Sequence, residues 1–164
     1  MFAHHGRWIP SFSKKIRPLL SDNSFPLSQE AITAFQSLKD DVASASLAAI
    51  EDDIPFRVET DASDFAIGAT LSQAGRPIAF FSRKLNQSEQ RHSSIEKEAY
   101  AIVESLKYWR HYLIGRHFEV FTDQRSVSFM FHQQHISKIK NEKILRWRLE
   151  LACFKFDIIY RPGR

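Results

Sequence analysis

The spacing of apolar residues changes near residue 55, from a helical period to the alternation that is typical of strands. Upstream, apolar side chains recur at helical spacing from Ala31 to Leu38, and Ser28 can cap the helix that they predict. A shorter helix is predicted within residues 7–20, where Pro18 would end it. The first 55 residues are therefore expected to be helical.

Downstream of residue 55 the pattern predicts five strands and three helices. The strands are expected at 56–61, 65–73, 76–83, 117–122 and 155–160, and the helices at about 93–112, 124–131 and 137–152. The turn Ala-Gly-Arg at 74–76 is typical of a hairpin between the second and third strands. Because strands and helices are mixed along the chain, we predict an α/β fold with a partly antiparallel sheet.

Two of the predicted strands close on the same residue pair, at Thr60–Asp61 and Thr122–Asp123. If these strands are neighbours and run parallel, both aspartates reach one rim of the sheet. Carboxylates that meet repel each other unless a cation lies between them, and a divalent metal with oxygen ligands is the usual solution. The helix at 93–112 can add a third acid, but Glu96 and Glu98 lie equally far from the centre of its apolar stripe. Periodicity alone does not choose between them.

The positive charge of the chain lies downstream of residue 55. The net charge is +4; residues 1–55 hold 5 Lys/Arg against 7 Asp/Glu, and residues 56–164 hold 18 against 12. A basic domain is compatible with a nucleic-acid partner, although a solvated surface can have the same composition. The candidate nucleic-acid contacts, most of them on the last predicted helix, are Arg83, Lys84, Lys138, Lys140, Lys143 and Arg146.

The composition and the lengths of the apolar runs also predict the cellular compartment of the protein. No run of about 18 apolar residues exists to span a bilayer, and residues 1–15 have no apolar core of signal-peptide length. The single Cys153 cannot form an internal disulfide and is expected to be a buried apolar residue in a reducing compartment. We therefore expect an intracellular protein, in the cytoplasm, a virus-like particle or the nucleus, and neither secretion nor a membrane partner.

Three stretches of the chain resemble one known family. TDASDFAIGATLSQ begins at Thr60, IEKEAYAIVESLKYWRHYLIGRHFEVFTDQRSV begins at Ile95, and IIYRPGR begins at Ile158. Together they are similar to the ribonuclease H domain of gypsy-type LTR-retrotransposon reverse transcriptases, over roughly residues 56–164. Residues 1–55 resemble the helical connection segment that precedes this domain in the Pol polyprotein.

The resemblance implies a ribonuclease H-like fold, a mixed five-stranded sheet flanked by helices, and cleavage of the RNA strand of RNA–DNA hybrids. It assigns the catalytic and metal-binding carboxylates to Asp61, Glu98 and Asp123, so that Glu96 becomes a solvent-facing helix residue. Two Mg²⁺ ions are implied as cofactors, with Mn²⁺ as a substitute. The implied partners are the hybrid and the polymerase portion of the same polyprotein.

The family also carries a fourth acidic ligand. It belongs to an Asn-x-x-Ala-Asp segment on a terminal helix that follows the RPG motif, and this chain ends at Arg164. We therefore expect the terminal helix to be missing, the ribonuclease H domain to be truncated at its C-terminus, and cleavage to be weak at most.

Two other classes of function compete with this interpretation. A polymerase site needs a Tyr/Phe-x-Asp-Asp hairpin, but the pairs Asp40–Asp41 and Asp52–Asp53 follow Lys39 and Glu51, so a polymerase site is rejected. A non-catalytic remnant of a retroelement, which binds nucleic acid or packs against a reverse transcriptase, remains the alternative. The 7 histidines have no cysteine partners at metal-ligand spacing, which argues against a zinc site.

Overall fold

The computed structural model describes residues 9, 11–21, 25–45, 50–132 and 141–162. The chain divides into two compact units. The first comprises Met1–Ile50 with Arg76–Ile78, and the second comprises Glu51–Gly75 with Ala79–Arg164. In the part of the chain that the structure describes, no helix is both long and apolar enough to cross a bilayer.

The described residues of the first unit include two helices, as the apolar spacing predicts. Helix α1 spans Phe12–Ser21 and helix α2 spans Gln29–Ala45, and the two pack against each other. The hydroxyl of Ser28 caps α2, because it accepts a hydrogen bond of 3.2 Å from the amide of Ala31. The predicted end of α1 at Pro18 is wrong, since the helix continues through it. Proline removes one backbone N–H but leaves the residues after it able to remain helical.

The strands form one mixed five-stranded sheet. They are β1 (Phe56–Ala62), β2 (Ala66–Gln73), β3 (Arg76–Lys84), β4 (His117–Thr122) and β5 (Lys155–Tyr160), in the spatial order β3-β2-β1-β4-β5. Strand β1 pairs with β2 antiparallel and with β4 parallel, and β4 pairs with β5 parallel. Between β2 and β3, Ala74 and Gly75 both have positive φ, 47° and 77°, as a tight hairpin turn requires. The predicted α/β fold with a mixed five-stranded sheet is confirmed.

Helices of the second unit cover the sheet and frame its edge. Those in the described residues are α3 (Ser94–Tyr108), α4 (Arg110–Leu113), α5 (Arg125–Phe131) and α6 (Glu142–Leu151), with a short 3₁₀ turn at Glu89–Arg91. Helix α3 packs against β1 and β2 and also contacts α5 and α6. The helix predicted at 93–112 is divided at Trp109, and the start of the helix predicted at 137–152 lies outside the described residues.

The core of the second unit lies between α3 and the sheet. Its buried members include Val58, Ile67, Ile102, Leu106, Phe118 and Val120. Cys153 is not among them: the prediction that it is buried is wrong, because it lies in the turn between α6 and β5. Its Sγ lies 3.2 Å from Nη1 of Arg110.

Candidate active site

The register of the sheet brings the two Thr-Asp pairs to the same edge. In the parallel pair of β1 and β4, Glu59 lies opposite Phe121. Asp61, near the end of β1, and Asp123, directly after β4, therefore lie at the same edge of the sheet, and both aspartates are exposed. The sequence predicted a shared rim on the condition that these strands are parallel neighbours, and that condition is met.

The threonine of the second pair, Thr122, has a structural role. Side chains alternate across a strand, so Thr60 and Thr122 point away from the face that carries the aspartates. Thr122 is buried, and its hydroxyl accepts a hydrogen bond of 3.1 Å from the amide of Gln124. This bond fixes the turn that follows β4 and therefore the backbone of Asp123.

Glu98 reaches the same edge from the first turns of α3. A capping box fixes the start of this helix: the Ser93 hydroxyl accepts from the amide of Glu96 at 3.3 Å, and the Glu96 carboxylate accepts from the amide of Ser93 at 2.9 Å. Oε1 of Glu98 accepts a hydrogen bond of 3.0 Å from the amide of Ala62, directly after Asp61. Glu98 is only 7% exposed, and its Oε2 is buried without a hydrogen-bond partner among the described residues.

The protonation equilibrium of Glu98 shows that the three carboxylates interact. Burial, together with the negative charges of Asp123 and Asp61, raises the pKa of Glu98 to about 8, although the hydrogen bond from Ala62 opposes the shift. A carboxyl with this pKa keeps its proton near neutral pH unless a cation arrives. Such perturbed groups are concentrated at functional sites.

The donor set at this edge fits a hard divalent cation. Three carboxylates supply the oxygen ligands that Mg²⁺ prefers, and the unpartnered Oε2 of Glu98 is an acceptor that the protein itself leaves unused. Within the described ranges, however, no three His, Cys, Asp or Glu side chains already stand close enough to hold a metal ion.

The expectation that Glu96 faces solvent is wrong. Its carboxylate takes part in the capping box and also pairs with Lys143 of α6, with Oε1 and Nζ 2.9 Å apart. These bonds to Lys143 and Ser93 lower the pKa of Glu96 despite its partial burial. Periodicity missed this role because the partner helix lies 47 residues further along the chain.

Two of the candidate nucleic-acid contacts are engaged inside the protein. Arg83 donates to both carboxylate oxygens of Glu89, at 3.0 and 3.3 Å, and to the hydroxyl of Tyr100 at 2.9 Å. Lys143 holds Glu96, as described above. A phosphate would have to compete with these carboxylates for either side chain.

The other candidates divide between an exposed pair and an undescribed pair. Lys84, at the end of β3, and Arg146, on α6, are exposed and form no ion pair with another described residue. Lys138 and Lys140 lie outside the described residues. Lys84 and Arg146 are therefore the candidates whose charges are available to a polyanion.

Aromatic packing fixes the position of the basic helix α6. Trp147 is buried and stacks on Tyr100 of α3, with ring centroids 5.6 Å apart. Leu149 is exposed, because it lies on the face of α6 opposite Trp147. The helix thus buries its tryptophan and presents Arg146 to solvent.

Sequence reasoning missed an ion pair beside the site. Lys97 is buried, and its Nζ lies 2.8 Å from the carboxylate of Asp64, in the turn between β1 and β2. A lysine between two glutamates near the start of a helix is typical of a solvent-exposed face, so the sequence pattern does not predict that Lys97 is buried. The sequence does contain a possible partner for this lysine, because Asp64 is an acid in a tight turn, three residues after Asp61.

Comparison with known proteins finds relatives of this chain. Residues 51–154 match the family described as the RNase H-like domain found in reverse transcriptase. The retrovirus-related Pol polyprotein from transposon 297 of Drosophila melanogaster is 35% identical over 168 residues, covering 99% of this chain and 16% of that protein. The transposon Tf2-3 polyprotein of Schizosaccharomyces pombe is 40% identical over 113 residues, covering 65% of this chain and 8% of that protein. The chain thus spans less than a fifth of the length of these relatives.

Solved structures share the fold at low sequence identity. A foamy viral protease-reverse transcriptase in complex with double-stranded DNA matches with a TM-score of 0.71 and 18% identity, covering 99% of this chain and 32% of that chain. RNase H1 from the archaeon Halobacterium salinarum matches with a TM-score of 0.50 and 17% identity, covering 66% of this chain and 86% of that chain. At these identities the likeness shows the fold, and it confirms the predicted ribonuclease H-like class.

Proposed function

Since this chain belongs to the family of RNase H-like domains found in reverse transcriptase, we propose that it hydrolyses the RNA strand of RNA–DNA hybrids. One observation carries the proposal: Glu98 is buried, leaves Oε2 unpartnered, and lies close enough to Asp61 and Asp123 for their charges to raise its pKa. Burying a carboxylate that lacks compensation destabilises a fold. A requirement for this group in function accounts for its position.

The three acids have distinct tasks in this proposal. Asp61 and Asp123 present carboxylates at the rim, where a phosphodiester can approach. Glu98 supplies a carboxylate oxygen from α3, the helix that packs against β1. When bound, a pair of divalent ions would stabilise charge on the entering and leaving oxygens of the phosphate and activate water near neutral pH. Asp61, near the end of β1, would hold the ions together with Glu98 of α3 and Asp123 after β4.

The protein's own contribution is orientation and proton control. The amide of Ala62 fixes one oxygen of Glu98 at 3.0 Å, so the other oxygen has a defined direction. The raised pKa of Glu98 means that cation binding displaces its proton, and binding should therefore strengthen as pH rises toward 8. Water is not excluded from the rim, because Asp61 and Asp123 are exposed.

A cleavage assay tests the proposal directly. The chain is incubated with a hybrid labelled on its RNA strand, with Mg²⁺ or Mn²⁺ and, as a control, with a chelator. The proposal is supported if the hybrid is cleaved only when the metal is present and if the same RNA, offered as a single strand, stays uncut. No cleavage of the hybrid with either metal would overturn it.

The alternative is a module that binds nucleic acid without cutting it. It is favoured by the absence, within the described ranges, of a ready cluster of three metal-binding side chains. The same assay separates the two functions, because a binding module retards the labelled hybrid in a gel and leaves the RNA strand intact.

We also propose that the chain acts within a polyprotein, with residues 1–55 connecting the ribonuclease H-like domain at 56–164 to a polymerase portion. The family match begins at residue 51, whereas similarity to the Drosophila polyprotein covers 99% of the chain. The helical segment upstream of the match therefore also resembles part of such a protein. Co-purification with the upstream polymerase region, lost when 1–55 is deleted, tests this role.

Hybrid binding is expected to weaken steeply with salt, because contacts to phosphates release counterions. Replacing Lys84 or Arg146 by Gln should lower the slope of log K against log salt by about 0.7–0.9 per residue, with little dependence on sequence. Lys107→Gln is the matched control, since Lys107 is already paired with Glu104 and Glu150. Titrations at three salt concentrations measure the slopes; a flat response in the wild-type chain would show that the basic surface is only solvated.

A further inference from the structure

The turn between β1 and β2 closes without help from Asp64. The amide of Ser63 donates to the carbonyl of Ala66 at 2.8 Å, and the Ser63 hydroxyl accepts from the amides of Phe65 and Ala66 at 3.3 and 3.0 Å. Asp64 lies at the tip of this turn, where its side chain is 81% exposed. Its carboxylate is directed at the Nζ of Lys97, 2.8 Å away, and this contact lowers the pKa of Asp64.

Lys97 is the unusual member of the pair. Its side chain is only 8% exposed, although it carries a charge in the first turns of α3. A buried ammonium group needs a partner, and Asp64 is the carboxylate in contact with it. The ammonium group of Lys97 is therefore directed at one specific turn rather than at solvent.

Two bonds from adjacent helix residues join α3 to this turn. Glu98 accepts from the amide of Ala62 at 3.0 Å, and Lys97 binds Asp64 at 2.8 Å. Asp61 immediately precedes the first of these contacts. Two attachment points restrain both the distance and the rotation between the strand that carries Asp61 and the helix that carries Glu98, whereas a single hydrogen bond restrains only the distance.

We infer that Lys97 and Asp64 form a latch that holds the β1–β2 turn on α3 and so keeps Asp61 and Glu98 in register with each other. Both are positioning residues, because they act through Ala62 and Glu98. The inference rests on the proposed function for its consequence on cleavage, but the latch itself is a property of the fold. Because the carboxylate of Asp64 is exposed to solvent, which screens the pair, we expect the effect mainly in the geometry of the turn.

The first test follows amide hydrogen exchange at Ala62 and does not depend on cleavage. Asp64→Asn removes the charge of the turn, and exchange of the Ala62 amide should become at least about tenfold faster as the turn leaves the helix. The Ser63 amide, bonded inside the turn, should keep its wild-type rate. Lys97→Arg, which retains the cation, should preserve the protection of Ala62. Unchanged exchange at Ala62 in Asp64→Asn would overturn the latch.

The second test measures cleavage of the labelled hybrid by the same variants. Asp64→Asn should lower kcat by about 10- to 100-fold and raise the Mg²⁺ concentration for half-maximal cleavage, with an unchanged KM for the hybrid. Asp52→Asn is the matched control: Asp52 is 83% exposed and paired with Arg116 at 2.6 Å, away from the acids. Equal losses in Asp52→Asn and Asp64→Asn would overturn the positioning role.

The two tests separate the latch from the proposed function. Faster exchange at Ala62 in a chain that cleaves nothing supports the latch and counts against ribonuclease activity. Unchanged exchange in a chain that cleaves normally removes the latch and leaves the ribonuclease proposal standing. The double variant Asp64→Lys, Lys97→Asp exchanges the two charges. It should restore the protection of the Ala62 amide from hydrogen exchange that Asp64→Asn loses, and a general loss of surface charge cannot produce that result.

Discussion

Glu98→Gln is expected to lower the metal-dependent cleavage of an RNA–DNA hybrid by at least about 100-fold. A glutamine keeps the acceptor for the amide of Ala62 but loses the negative charge that would draw a divalent cation. Losing a few kcal/mol of transition-state stabilisation corresponds to two or more orders of magnitude in rate. The measurement is kcat on labelled hybrid at saturating Mg²⁺, repeated with Mn²⁺.

Glu96→Gln is the matched control for that loss. The two glutamates lie on the same turn of α3, and glutamine at Glu96 can still complete the capping box, so only the pair with Lys143 is lost. Cleavage should stay within about threefold of the wild-type rate, because an exposed or half-exposed ion pair contributes little. If Glu96→Gln were the more damaging change, the assignment of Glu98 as the third acid would be wrong.

The same Glu98→Gln change is expected to stabilise the metal-free protein at pH 8 and to have little effect at pH 5. The pKa of Glu98 is about 8 in the folded state, above its ordinary value of 4.5. Between these values the folded protein keeps a proton that the unfolded chain has lost, so raising the pH through this window favours unfolding. Glutamine does not titrate and escapes the effect.

The size of this effect follows from the width of the window. At about 1.4 kcal/mol per pH unit the upper limit is roughly 5 kcal/mol, and solvent around the exposed Asp61 and Asp123 reduces the expected difference to about 2–3 kcal/mol. Urea unfolding with a chelator present, at pH 5, 6.5 and 8, measures it. A constant difference between wild type and Glu98→Gln across this range would mean that Glu98 is already ionised without a metal.

Glu96→Gln again provides the comparison, because the pKa of Glu96 is shifted in the opposite direction from that of Glu98. Its partners lower the pKa of Glu96, so its contribution to stability is complete above the ordinary value of 4.5 and is lost as the pH falls below it. Between pH 5 and 8 the stability of Glu96→Gln should therefore run parallel to that of the wild type. Two neighbouring glutamates thus give different pH profiles, because Glu96 is paired with Lys143 whereas Glu98 is buried and lies near two carboxylates.

Local pattern was sufficient for most of the secondary structure. The strands at 117–122 and 155–160 have the predicted bounds, and the other strands differ from prediction by one residue at an end. Alternation with period two is a property of the strand itself, and so it can be read without knowing the partner strands. Two predictions from local pattern were wrong. Pro18 does not end its helix, because proline does not always break a helix, and Cys153 is exposed, because it lies in a turn.

The sequence by itself determined the two strands that lead to Asp61 and Asp123, the amphipathic helix between them and the family resemblance that assigns three acids. Only the tertiary structure showed that Glu98 is buried with one oxygen left unpartnered and that Glu96 pairs with Lys143. It also decided that Arg83 is held by Glu89 and that Lys97 is bound to Asp64. The reason is that burial and ion pairing depend on residues distant in sequence, and a helical period records only the helix's own geometry.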